Sequence, residues 1–292
     1  MKKVLKFIYR ILPFKKQVYL MLKKVWTPRE NIYKHLHFKG VFNVRVDDRT
    51  WFKLNHYGYQ IENEIFWTGL SGGWEKTSMA IWIALCKKSM VIFDIGANTG
   101  IYSLVAKATH PAAEVYAFEP VKRVYSKLVD NSLLNGYDIA CHELAVSNAD
   151  GQALIYDTTD DHTLSVTLNK NLHRPETTVI PTVVTTIRLS SLIDKDEMKK
   201  IDLIKIDVET HEPEVLEGLE PYLSRDKPSI LVEVLNDDIG KQIEKIVHGN
   251  NYLYFNIDEQ GGIRRTESIL KSDHYNYLLC QPDTAHSLGL IR

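Results

Sequence analysis

The 292-residue chain predicts an α/β fold built on a mainly parallel sheet with helices on both faces. Three observations point there. Apolar, β-branched runs at 91–95, 201–207 and 230–234 alternate with stretches of helical periodicity, and continuous apolar strands of this kind are buried on both faces. Glycines punctuate the first strand-to-helix junction, at 94–100. The composition is ordinary, 44% hydrophobic and 25% charged, which excludes a disordered chain, a collagen-like fibre and a coiled coil.

Each element has its own signal. Residues 41–46 alternate, Asp47 and Asp48 supply turn chemistry, and 51–54 return as a second strand. Gly69, Gly72 and Gly73 break the chain before a helix over 75–87. A buried strand ends at Ile95. A helix over 99–108, a strand over 115–118 and a helix over 121–134 follow, the last closed by Asn135-Gly136. A third strand covers 139–142. Turn residues (Asn148, Asp150-Gly151) and β-branched runs over 145–190 predict an inserted β-hairpin. Then come a strand over 201–207, a helix over 213–223 with Pro213 at its start, a strand over 230–234, a helix over 239–247, and strands near 252–257 and 275–280. Three segments result: a basic amphipathic helical segment (1–29), a small β-rich extension (30–75) and the main α/β domain (76–292).

Charge is unevenly spread. Residues 1–29 hold nine cations and no acid. Removing those nine from the 36 Lys and Arg leaves 27 cations against 37 acids, a net −10 over residues 30–292. Val4, Leu5, Ile8, Ile11 and Leu12 follow helical spacing, interrupted by Pro13, and Val18, Leu22, Val25 and Trp26 continue it. Lys6 and Arg10 break the apolar run, and no small-residue cleavage site follows, so this is not read as a signal peptide. Such a segment either contacts an anionic inner-membrane surface peripherally or packs on the body with its lysines in water. No apolar run of roughly 18 residues predicts a membrane span. The acidic body argues against a nucleic-acid partner. Cys86, Cys141 and Cys280 are odd in number, far apart and without a CxxC pair; they predict core positions and a reducing, cytoplasmic compartment.

The run Asp94-Ile95-Gly96-Ala97-Asn98-Thr99-Gly100 follows an apolar strand and opens a helix. A dinucleotide fingerprint would read GxGxxG; here an Asp replaces its first Gly, and a pyrophosphate would dislike that carboxylate. A ligand with an ammonium group and no phosphate fits better, which points to S-adenosylmethionine, its tail held by Asp94 directly or through water while residues 96–100 wrap it. Glu119, at the tip of the second strand, is placed to take ribose hydroxyls, with Pro120 opening the next helix. Glu143 to Ala145 are expected on the adenine side. The cluster Asp207, Glu209, His211, Glu212 ends the 201–207 strand, where a His or carboxylate can serve as base for an acceptor hydroxyl. The same acids also suit capping of the helix at Pro213. The mix would suit a divalent ion, but no metal-ligand spacing stands out, so no metal is expected.

The runs VIFDIGANTG, VYAFEP, HELAVSNADG, IDLIKIDVETHEPEVLEGL and SILVEV together resemble the FkbM family of S-adenosylmethionine-dependent methyltransferases, over about residues 70–235. The resemblance implies a Rossmann-like class I methyltransferase fold: a mainly parallel seven-stranded sheet with an antiparallel C-terminal hairpin, here joined by the inserted hairpin and an N-terminal extension. It also implies O-methylation of a sugar, glycan or related small molecule. Asp94, Gly96, Asn98 and Gly100 match the glycine-rich motif and Glu119 the ribose acid. Asp207, Glu209, His211 and Glu212 match a D-V-E-G-H-E run in which Thr210 replaces the usual Gly. Trp74-Glu75 matches an acid ahead of the first strand, placing Trp74 and Glu75 near the donor methyl or the acceptor. A binding or regulatory domain of weak catalytic power is the alternative, and the missing GxGxxG disfavours a nicotinamide enzyme. Trp51, Trp67, Tyr57 and Tyr59 are further candidates to stack on a sugar face.

Overall fold

The computed structural model describes residues 14–158, 179–198 and 200–292. The first half of the basic amphipathic run and much of the expected insertion lie outside the described residues.

The main sheet has eight strands. In chain order these are β3 (Val91–Ile95), β4 (Glu114–Phe118), β5 (Ile139–His142), β9 (Leu203–Ile206), β10 (Ser229–Glu233), β11 (Leu253–Asp258), β12 (Gly262–Thr266) and β13 (Asn276–Cys280). Their order across the sheet is β12-β11-β13-β10-β9-β3-β4-β5. Strands β10, β9, β3, β4 and β5 run parallel, whereas β13, β11 and β12 pair antiparallel. Omitting β12 leaves the expected seven-stranded arrangement. The eighth strand, GIRRT, folds back from β11 through a turn at 259–261; its two adjacent arginines hide the strand pattern. Glu259 in that turn accepts backbone N–H groups of Thr77 (2.6 Å) and Ser78 (3.3 Å). The extra hairpin therefore caps the helix α4 (Lys76–Cys86), which starts beside Glu75.

The parallel strands are buried because helices cover both faces. One layer, including α4 and α5 (Ile101–Thr109), packs around Trp82, Leu104 and Val105; the opposite layer packs around Phe93, Ile204, Leu216 and Ile243. Helix α6 (Lys122–Asn135) ends at Gly136 as expected. The single helix expected over 213–223 is two short ones, α8 (Glu212–Glu217) and α9 (Tyr222–Asp226), parted where Pro221 cannot continue an α-helical hydrogen-bond ladder.

The inserted strands β7 (Gly151–Thr158) and β8 (Val179–Ile187) pair antiparallel and join the short β6 (Ala145–Val146) in a separate three-stranded sheet. The N-terminal extension holds helices α1 (Lys15–Lys23), α2 (Glu30–Tyr33) and α3 (Gln60–Thr68) around the hairpin of β1 (Gly40–Arg45) and β2 (Trp51–His56). Asp47 closes that hairpin by accepting the N–H groups of Arg49 and Thr50. Helix α7 (Leu189–Lys195) follows β8, α10 (Asp237–Val247) follows β10, and α11 (Pro282–Ser287) follows the last strand. Among the described residues no helix is long and apolar enough to cross a membrane. The three cysteines are unpaired, with Cys86 and Cys280 buried.

Candidate active site

The carboxyl ends of β3, β4, β9 and β10 meet at a cavity of about 240 Å³. Its floor is the turn after β3. Gly96 and Ala97 both donate N–H to the Phe118 carbonyl (3.0 and 2.9 Å), and Asp207 donates its N–H to the Ile95 carbonyl (3.1 Å). The turn is thus tied to the strand ends on either side. Gly96 has φ +77, and a Cβ there would lie 1.9 Å from the Asp207 carbonyl oxygen, so only glycine fits. Gly100, at φ +88, allows close approach of Leu128.

Glu119 is buried, and both of its oxygens are directed by backbone donors. Oε2 accepts the Asn98 N–H (3.1 Å) and Oε1 the Val121 N–H (2.9 Å). Glu119 also lines the cavity. Ala97, Asn98, Pro120 and Ala145 line the same cavity.

Strand register explains the charge at its centre. Asp94 pairs with Lys205 across β3 and β9. Side chains two apart share a face of a strand, which also brings Asp207 to Lys205. Lys205 is 6% exposed, donates to Asp207 Oδ2 at 2.9 Å, and lies 4.7 Å from the Tyr102 ring centroid. The Tyr102 hydroxyl donates to Glu75 Oε2 (2.5 Å). Burial alone would depress the Lys205 pKa, but Asp207, Asp94 and Glu75 outweigh it and hold the ammonium charged. Burial pushes the Glu75 carboxyl up to about 7, against the pull of Lys205.

Asp94 is fully buried and lies outside the cavity lining. Its Oδ2 accepts from Ser103 N (2.9 Å) and Oγ (2.6 Å), while Oδ1 has no hydrogen-bond partner among the described residues. Burial raises its pKa, opposed by Lys205 and Ser103. The wrapping turn expected to hold a ligand lines the cavity, and the acid expected beside it stands one layer behind.

The 207–213 loop divides in the same way. Asp207, Glu209 and His211 line the cavity. Glu212 does not, so the substrate contact expected of it gives way to another role. It is fully buried, and its Oε1 accepts the N–H groups of Val208 (3.3 Å) and Thr210 (3.2 Å), holding the loop; burial pushes its pKa up to about 8. His211 bridges two partners, with Nε2 2.9 Å from Ser147 Oγ and Nδ1 3.3 Å from Glu214 Oε2. A proton on Nδ1 satisfies both contacts. Burial lowers the His211 pKa, opposed by Glu214 and Glu217, which favours the neutral imidazole.

Trp74 and Glu75 line the cavity. Of the other aromatic candidates, Trp67 is a core residue at 1% exposure, Trp51 faces solvent, and Tyr57 and Tyr59 lie outside the lining. Of the residues expected on the adenine side, Glu143 is exposed and outside the lining, whereas Leu144 and Ala145 line the cavity. Three polar lining residues escaped sequence reasoning: Lys205, Tyr102 and Glu233. A lysine inside the otherwise apolar strand LIKI was the available signal for the first. Glu233 ends β10, where burial and then Asp207 and Glu209 push its pKa up to about 9. One carboxylate oxygen each from Asp207, Glu209 and Glu233 falls within 4.8 Å of the other two, so this trio could hold a divalent cation.

Thr210 stands at φ +76 and Glu209 at φ +55. A β-branched residue in left-handed backbone is strained by about 1–2 kcal/mol. Thr210→Gly relieves this, offset by about 0.5–1 kcal/mol of added chain entropy in the unfolded state. The expected outcome is a net gain of about 0.5–1 kcal/mol, read as a higher urea midpoint; an unchanged or lower midpoint would contradict the strain.

Comparison with known proteins agrees with the geometry. The methyltransferase FkbM domain model matches residues 94–254, over half of the chain. The 31-O-demethyl-FK506 methyltransferase FkbM of Streptomyces tacrolimicus is 31% identical over 156 residues, covering 44% of this chain and 59% of that protein. The hexuronic acid methyltransferase AglP of Haloferax volcanii is 27% identical over 129 residues, 44% of this chain and 49% of that protein. The chain thus spans only about half to three fifths of the curated relatives it matches. Among solved structures, methyltransferase FkbM from Methylobacillus flagellatus KT aligns with a TM-score of 0.38 at 13% identity, over 65% of this chain and 43% of that one. With its family model seated on the strands and loops that build the cavity, the chain belongs to the methyltransferase FkbM family.

Proposed function

We propose that the protein is an S-adenosylmethionine-dependent O-methyltransferase acting on a hydroxyl of a sugar, glycan or related small molecule. The observation that carries this reading is the charge of the cavity. Glu75, Glu119, Asp207, Glu209 and Glu233 line it, and Lys205 is the one lysine or arginine that does so among the described residues; with Glu233 held neutral by burial, the acids still outnumber the cation. Such a site suits a cationic sulfonium and ammonium and disfavours a pyrophosphate. The Asp207 carbonyl closes on Gly96 and fixes the turn, and behind it Asp94 Oδ1, without a hydrogen-bond partner among the described residues, suits a bridging water.

In this reading the Gly96–Thr99 turn and Glu119 hold the nucleoside, with Glu119 accepting the ribose hydroxyls. When bound, the donor supplies an electrophilic methyl group. His211 Nε2 accepts from the Ser147 hydroxyl in the free site; the acceptor hydroxyl takes that place and gives Nε2 its proton, while Glu214, 3.3 Å from Nδ1, orients the ring. Asp207 is ion-paired with Lys205 at 2.9 Å and places its carboxylate at the cavity wall. Trp74 offers a flat apolar face to a sugar ring. The surplus of carboxylates favours an uncharged acceptor over an anionic one.

Calorimetric titration with S-adenosylmethionine tests the assignment. Glu119→Gln preserves shape but replaces a charged acceptor. It is expected to weaken binding roughly 10–100-fold, in line with about 1.5–3 kcal/mol for hydrogen bonds to a charged group. Equal affinity in wild type and variant, or no binding to the wild type, would remove the proposal.

A further inference from the structure

We propose that the outward face of helix α1 is a docking surface for an anionic lipid bilayer. The helix is anchored to the body by one side only. Tyr19 is 5% exposed and its ring lies 5.5 Å from that of Trp67, Leu22 packs on the same core, and the Lys23 ammonium donates to the Phe66 carbonyl. The opposite side is apolar and bare. Phe14, Val18, Met21 and Val25 are 71%, 50%, 72% and 83% exposed. Val18 and Met21 on the helix, with Phe14 and Val25 just beyond its two ends, follow a spacing of four, three and four residues. Leu20 and Trp26, 41% and 45% exposed, flank them.

A contiguous exposed apolar patch marks an interaction surface. Its surroundings choose the partner. Residues 1–29 carry nine cations and no acid, and Lys24 and Arg29 stand exposed beside these side chains. The rest of the chain carries a net −10. That asymmetry turns the basic end toward an anionic surface and the acidic body away from it. Apolar side chains flanked by cations, with a tryptophan at the edge, are the composition of helices that lie in the lipid interface. The cationic run and the exposed apolar side chains thus share the same end of the chain.

Sedimentation with phosphatidylcholine vesicles, with and without about 30% phosphatidylglycerol, tests this. The wild-type chain is expected to pellet with the anionic vesicles at least about tenfold more than with the neutral ones, and to be released by ~0.5 M salt. The combined variant Val18→Asp, Met21→Asp, Val25→Asp is expected to stay in the supernatant. Because these side chains face water, its thermal midpoint is expected to match the wild type, which separates lost docking from lost folding. Wild-type protein that ignores both vesicles, or a variant that pellets like it, overturns the proposal. So does a dimer in sedimentation velocity that the same substitutions disperse without any vesicle binding, since the occupant is then a second copy of the chain.

Discussion

Gly96→Ala is expected to abolish donor binding and lower stability by roughly 3–5 kcal/mol. Two effects combine. A residue with Cβ at φ +77 costs about 1–2 kcal/mol. The larger effect is the clash. The new Cβ would lie 1.9 Å from the Asp207 carbonyl oxygen and 2.9 Å from its carbon. Neither is the far end of a flexible side chain. Asp207 is held by its N–H bond to Ile95, and Gly96 by its bond to Phe118. Relief therefore requires β3 and β9 to part at the cavity floor. Gly136→Ala is the control: it shares left-handed backbone (φ +62) but has nothing within 4 Å of the added carbon. It is expected to show the conformational cost alone, about 1 kcal/mol. Urea unfolding of both variants, with calorimetric titration of S-adenosylmethionine, checks the comparison. Equal losses in the two would mean that the close approach at Gly96 is not what demands glycine there.

That contrast shows what sequence patterning can and cannot reveal. The DIGANTG turn was legible because glycine spacing after an apolar strand reports backbone geometry directly. Strands β3, β4 and β9 were legible because burial on both faces leaves an unbroken apolar run. Glu119 followed from its position at a strand tip. Lys205 was not read, since its role depends on register: only pairing with Asp94 across β9 and β3 turns a lone strand lysine into the counter-ion of a buried carboxylate. Of the stretch Glu143 to Ala145 expected at the site, Leu144 and Ala145 line the cavity and Glu143 does not, a distinction that needs the direction of each side chain. Glu212 and His211 are adjacent, yet one turns inward to accept loop N–H groups and the other lines the cavity. Thr210 was flagged as a departure from a glycine, and its φ of +76 shows that the backbone kept the conformation a glycine would adopt.

Lys205→Met is expected to destabilise the protein by about 3–5 kcal/mol at pH 8, the usual size when one partner of a buried ion pair is removed. Methionine matches the lysine stem in volume, so packing changes little and the loss reports charge. Lys205 stands within the field of Asp94, Asp207 and Glu75, all of which raise its pKa above the ordinary value. In the wild type its contribution is present throughout the neutral range and is lost only as pH rises past that elevated pKa. In the variant the carboxylates face one another without a cation. Asp94 and Glu75 already have folded-state pKa values above their unfolded ones, Glu75 at about 7, and removing the cation raises them further. The folded variant then binds more protons than the unfolded chain between the unfolded carboxylate range near 4 and the raised folded values. Its stability must therefore climb as pH falls across that window, more steeply than the wild type's. Urea midpoints at pH 8, 6.5 and 5 make the test. A deficit that shrinks toward pH 5 identifies Lys205 as the counter-ion that lets a cavity built for a cation keep its carboxylates ionised; a deficit constant with pH would mean that the lysine is held there for its packing.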